Sequence, residues 1–179
     1  METNKSEQKF VDAICGVRGR FIESCIQLET MMDAYIAQYF CDTNEKVSEL
    51  VYIVLAPRVS WREKLEIFKV LITRYNKKFV DDYGDFYTDI LHIIEHRNVF
   101  AHFPADITPD GFKLFKEKGI LPFFKFKNQK MPKTKKIVYI RYPTYTEKEF
   151  NFNLKGVYIY TVAIQKILRK GDIQAHLHP

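Results

Sequence analysis

The sequence predicts a mainly α fold, an antiparallel bundle of about five helices with a small β-hairpin inserted before the last one. Three observations carry that expectation. Apolar residues recur at three- and four-residue spacing before residue 104, aromatic and β-branched runs replace them between residues 120 and 145, and helical spacing returns from residue 153. The 179 residues, 46% hydrophobic and 15% aromatic, suffice for one core, and no repeat or low-complexity linker divides them. Residues 1–179 are therefore expected to form a single domain, with residues 111–148 a basic hairpin elaboration within it.

Each element has a local reason. From Ser6 to Phe40 a stripe runs through Phe10, Ile14, Val17, Phe21, Cys25, Leu28, Met31 and Met32, Tyr35 and Tyr39, a long amphipathic helix that Gly16 is placed to break. EKVSELVYIVLA, residues 45–56, reads as a second helix stopped before Pro57, although VYIVL also suits a strand. Ser60 and Glu63 spell a capping box that opens a third helix, WREKLEIFKVLITRYNKKF, residues 61–79. After the turn residues DDYGD, a fourth helix covers FYTDILHIIEHRNVFAHF until Pro104 closes it. ILPFFKFKN and KIVYIRYPTY then read as the two strands, joined through the lysine-rich QKMPKTK. NLKGVYIYTVAIQKILRK, residues 153–170, is the fifth helix, and GDIQAHLHP a loose tail.

Charge is divided unevenly along the chain. Residues 1–110 hold 13 Lys and Arg against 18 Asp and Glu, whereas residues 111–179 hold 15 against 4, so the net +6 comes from the C-terminal part. Such a block suits a phosphate-rich partner. No run is apolar enough for a membrane span, and METNKSEQKF has no signal-peptide core, which predicts a soluble cytoplasmic protein without a membrane partner. Cys15, Cys25 and Cys41 form no C-x-x-C pair; Cys15 and Cys25 are expected as reduced, buried core thiols.

HIIEHRNVFAH, residues 92–102, carries two overlapping signatures. From the left, His92, Glu95 and His96 spell H-x-x-E-H, which puts two imidazoles on one helical face where they could share zinc, with Glu95 as base. That short pattern arises readily by chance, and only Glu147 and Glu149 follow as candidate third ligands. From the right, Arg97, Asn98 and His102 suggest phosphodiester chemistry without a metal or other cofactor: a guanidinium neutralises the developing phosphorane and an imidazole moves a proton near neutral pH. Asn98 and His102 share a helical face; Arg97 lies about 140° around the axis from His102 and must reach across.

The right half is also where a resemblance lies. EHRNVFAH resembles the R-x4–6-H signature of the HEPN superfamily (higher eukaryotes and prokaryotes nucleotide-binding domains), in which Asn often follows the Arg. LETMMDAYIAQYF is similar to the first-helix segment and SWREKLEIF to the third-helix entry; a hairpin before a final helix occurs in part of the superfamily. The resemblance implies a HEPN-like bundle that forms a homodimer along the motif helices, so that Arg97 and His102 of both subunits line one cleft. It implies a metal-independent endoribonuclease in which the ribose 2′-OH attacks the adjacent phosphate, in a toxin or phage-defence role. Its rival is a non-catalytic nucleotide- or protein-binding module with a nucleotidyltransferase or antitoxin partner; a zinc peptidase is a distant third.

Two further groups complete the expected site. Glu29 interrupts the apolar stripe of the first helix, where a lone carboxylate would be costly, so either a guanidinium such as Arg97 is its expected partner or Glu29 lies at the solvent edge of the stripe. Lys125, Lys127, Lys130, Lys133, Lys135, Lys136 and Arg141, interleaved with aromatic residues, are the expected RNA-binding cations of the hairpin.

Overall fold

The computed structural model describes residues 5–127 and 138–170 and is mainly helical. The tail 171–179 and the QKMPKTK segment lie outside the described residues. Helix α1 runs Lys5–Phe40 without a break at Gly16. A glycine costs a helix only about 1 kcal/mol, which the buried stripe from Phe10 to Ala37 outweighs. Helix α2, Asn44–Glu49, starts at Thr43, whose hydroxyl accepts from the Lys46 N–H.

The next segment departs from expectation. Leu50–Leu55 is π-helical, with the Ala56 N–H reaching back five residues to Val51, and α3, Ala56–Arg58, continues through Pro57. Pro57 does not stop the chain: the helical backbone runs on from the π-helical turn, with Leu55 and Ala56 both right-handed helical, through Pro57 to Arg58. The strand reading of VYIVL is not what forms here.

Helix α4, Trp61–Tyr75, begins with the expected capping box: Ser60 Oγ accepts from the Glu63 N–H and the Glu63 carboxylate accepts from the Ser60 N–H. The expected single helix to residue 79 is instead two. Asn76 donates its N–H to Ile72 at 2.9 Å while its side chain accepts from Phe79 at 3.0 Å, ending α4 and starting α5, Lys77–Asp82. Helix α6, Phe86–His102, carries the motif and ends before Pro104.

Residues 109–118, part of which was expected to belong to the hairpin, form α7, Pro109–Lys118. Thr108 caps it, Pro109 opens it, and Gly119 at φ 63° closes it in the left-handed conformation that glycine takes without strain. Strands β1, Ile120–Lys127, and β2, Val138–Thr146, pair antiparallel, with a one-residue register offset between Leu121 and Phe123, where Pro122 has no N–H to donate. Helix α8, Glu147–Lys170, begins six residues before the expected Asn153.

The described residues fall into two compact units, and α1, α6 and α8 each contribute to both. Unit one draws on Met1–Ile22 and His96–Leu154. Phe10 meets Phe112 and Phe115, and Phe100 lies among Phe21, Phe123 and Phe150 at centroid distances of 5.0–6.0 Å. Asp106 is fully buried: its N–H donates to Pro122 and its carboxylate accepts from the Thr108 N–H and hydroxyl. A Cβ on Gly111 would lie 2.0 Å from the Asp106 carbonyl oxygen, so only glycine lets α7 start this close to the loop leaving α6.

Unit two draws on Glu23–Glu95 and Lys155–Pro179. Its centre is a run of edge-packed rings, Phe68 against Tyr35, Phe79 and Phe86, with Leu65, Ile72, Ile90 and Ile164 buried alongside. Tyr160 of α8 donates to Asp89 of α6, tying those helices together within the unit.

Candidate functional site

The motif occupies the last two turns of α6. Its final turn is regular, because the Phe103 N–H donates to Val99 four residues back at 3.0 Å. Asn98 and His102 are both exposed, and at i and i+4 they share a helical face; Arg97 is half-buried beside them. The Arg97 Nη1 donates to Asn98 Oδ1 at 3.2 Å. Since Asn98 shares the His102 face, this bond draws the guanidinium toward the imidazole's side of the helix, without distortion of the turn. Arg97 and Asn98 are thus hydrogen-bonded one turn before His102, at a helix end that solvent reaches.

A residue that sequence reasoning missed supports this end. Arg18 of α1 donates from Nη2 to the Ala101 carbonyl at 2.8 Å, across 83 positions in sequence. The only local hint was a lone arginine one residue after the expected stripe position Val17. Val99 and Phe103, apolar residues at the same helix end, are half-buried in the single chain.

Glu29 meets a different cation from the one expected. Its carboxylate accepts from Lys64 Nζ of α4 at 2.7 Å, and the same ammonium donates to Asp33 at 2.9 Å. Glu29 and Asp33 are four apart on α1 and so face Lys64 together. The expected guanidinium loses to Lys64 because α1 and α4 pack here and bury the ammonium almost completely, at 1% side-chain exposure, where it must find anions. Glu29 therefore belongs to a buried charge cluster of unit two. Asp33 in the stripe and Lys64, one turn after Trp61 on the buried face of α4, were the unread signals.

In that cluster burial pushes the Asp33 carboxyl above the ordinary carboxylate range; Lys64 opposes the shift and Glu29 adds to it. A carboxyl with a raised folded-state pKa takes up its proton in the folded state before the unfolded one. Its contribution to stability is full below the unfolded pKa and is lost as pH rises through the folded value. Asp33→Asn should remove that term. Urea midpoints of wild type and variant, followed between about pH 4 and pH 7, should converge toward acid and separate toward neutrality, with wild type losing more as pH rises. Parallel curves would show that Asp33 titrates at its unfolded value.

The remaining expected residues have these positions. Lys125 and Lys127 lie on β1 and Arg141 on β2, where Phe124 pairs with Arg141 and Lys125 with Ile140. Lys130, Lys133, Lys135 and Lys136 lie outside the described residues. Cys25 is buried as expected, but Cys15 is exposed: it neighbours the stripe residue Ile14, and one step of 100° turns it to the surface. Among the described residues no group of three or more His, Cys, Asp or Glu is placed to hold a metal ion, so His92 and His96 acquire no third ligand there. No described helix is long and apolar enough to cross a membrane. A cavity of about 310 Å³ in unit two, lined by Lys78, Phe79, Tyr83 and Lys166 among others, contains none of the motif residues.

Comparison of the chain with protein-family models, with curated proteins and with solved structures gives no match.

Proposed function

We propose that the chain is a metal-independent endoribonuclease of the HEPN type, built on a HEPN-like bundle with the β1–β2 hairpin as its elaboration. The observation that carries the reading is the Arg97–Asn98 hydrogen bond at the exposed end of α6, on the side of the helix that His102 occupies. In the proposed reaction the ribose 2′-OH loses its proton, its oxygen attacks the adjacent phosphorus, the bond to the 5′-oxygen breaks, and that oxygen takes up a proton. The products are a 2′,3′-cyclic phosphate and a 5′-hydroxyl. His102 moves the proton, Arg97 offsets the charge of the phosphorane, and Asn98 orients the guanidinium.

One chain supplies one His102, while attack and departure are best served by a base on one side and an acid on the other. A homodimer along α6 supplies the second, and isologous pairing is the commonest form of assembly. The basic C-terminal part, including the hairpin lysines, attracts the RNA backbone. A toxin or phage-defence role suits such an activity.

Purified protein incubated with mixed RNA in excess EDTA should cleave it and leave 2′,3′-cyclic phosphate ends. Cleavage that stops in chelator would overturn the reading. RNA that stays intact but bound would move the chain to a non-catalytic binding module.

A further inference from the structure

Resting on the ribonuclease reading of the α6 site, we infer that Arg18 is the positioning residue for His102. A helix end leaves its last four carbonyls without intrahelical partners. Here the next residues cannot help by continuing the helix: Pro104 has no N–H to offer Phe100, and the chain has left the helix before the Ala105 N–H would reach Ala101. Arg18 takes over that position, donating to the Ala101 carbonyl at 2.8 Å in a partly buried setting. A charge-assisted bond of this kind is stronger than a neutral one.

The carbonyl it holds is the one that matters for His102. The Ala101 C=O and the His102 N–H belong to one planar peptide unit, so fixing the oxygen fixes the plane from which the His102 side chain departs. A second contact acts at the same level. Phe21, three residues after Arg18 on α1, packs against Phe100 at 5.1 Å, so α1 grips consecutive residues of the motif helix by a ring and by a charge. Arg18 also places a cation at the negative end of α6, which further favours an ordered last turn.

The test combines Arg18→Gln and Arg18→Lys with two readouts. In Arg18→Gln, amide hydrogen exchange at His102 and Phe103 should accelerate by about tenfold or more, while the core amides of α4 stay protected. RNA cleavage should lose about tenfold in kcat with KM within about twofold, since a misplaced proton-transfer group weakens the chemical step and not binding. Arg18→Lys, which keeps a donor and the charge, should recover part of both. Unchanged exchange at His102 in Arg18→Gln overturns the inference, whatever the activity. A raised KM with unchanged kcat also overturns it, assigning Arg18 to substrate binding. Wild-type protein that fails to cleave RNA removes the ribonuclease reading alone, because exchange and the line widths of the His102 ring resonances still report whether Arg18 orders that turn. If Arg18→Gln does not fold, Arg18→Lys and the same exchange measurement decide the matter.

Discussion

Replacing Lys64 by methionine should cost the protein about 3–5 kcal/mol of folding stability, the scale on which breaking a buried ion pair from one side is felt. Methionine fills much the same volume as the lysine stem, so the loss is electrostatic and not a cavity effect. Without the ammonium, Asp33 at 5% side-chain exposure is left as a buried carboxylate with no counter-charge, whereas Glu29 at 23% keeps some access to water. The cost should therefore fall mainly on Asp33. Adding Asp33→Leu to Lys64→Met should recover most of it, because apolar replacements of a whole buried pair are often neutral or stabilising. Urea unfolding of the two variants measures this directly. A single variant within about 1 kcal/mol of wild type would show that the cluster is solvated and its bonds of the weak surface kind.

His102→Ala should leave stability almost untouched and, on the ribonuclease reading proposed above, lower RNA cleavage by about 10²–10⁴-fold, the range that general acid–base groups contribute. His102 is exposed at the end of α6, and surface substitutions usually stay within about 0.5 kcal/mol. Arg97→Ala should be comparably damaging, through loss of charge compensation on the phosphorane and of the bond to Asn98. If each site is composite, mixed dimers of Arg97→Ala and wild-type chains should fall below half of wild-type activity. Retention of half, or a monomer that still cleaves RNA, would show that each chain carries an independent site. Lys64 and His102 thus predict opposite behaviour. One variant is expected to unfold early, and the other to fold normally with the proposed cleavage impaired.

The motif helix could be read in the sequence because its signals are close together: the apolar period of α6, the Pro104 stop, and the i, i+4 pairing of Asn98 and His102 all lie within one or two turns. Helix α7 was equally readable in principle, since Thr108, Pro109 and Gly119 are the usual cap, first-turn and closing residues; the aromatic character of the following strand drew the hairpin boundary too far forward. Asn76 was harder. It looks like one polar residue in a continuous helical period, and only its double duty, N–H back to Ile72 and side chain forward to Phe79, reveals the break. Cys15 was misplaced by one step around the helix, a reminder that in a 100° period adjacent residues seldom share a fate.

By itself the sequence determined the mainly helical character, the course of α6 and the Ser60–Glu63 capping box, because each depends on residues within a few positions, which the backbone brings together whatever the rest of the chain does. Only the tertiary structure decided which charges meet. Lys64 reaches Glu29 across 35 positions and Arg18 reaches Ala101 across 83, and no local period encodes either pairing. Glu29 shows the difference: its place in an apolar stripe announced that it needed a cation, but the identity of that cation depended on which helix face packed against α1, and that face brought Lys64. Need for a partner is a local property of a buried charge, whereas choice of a partner follows from long-range packing.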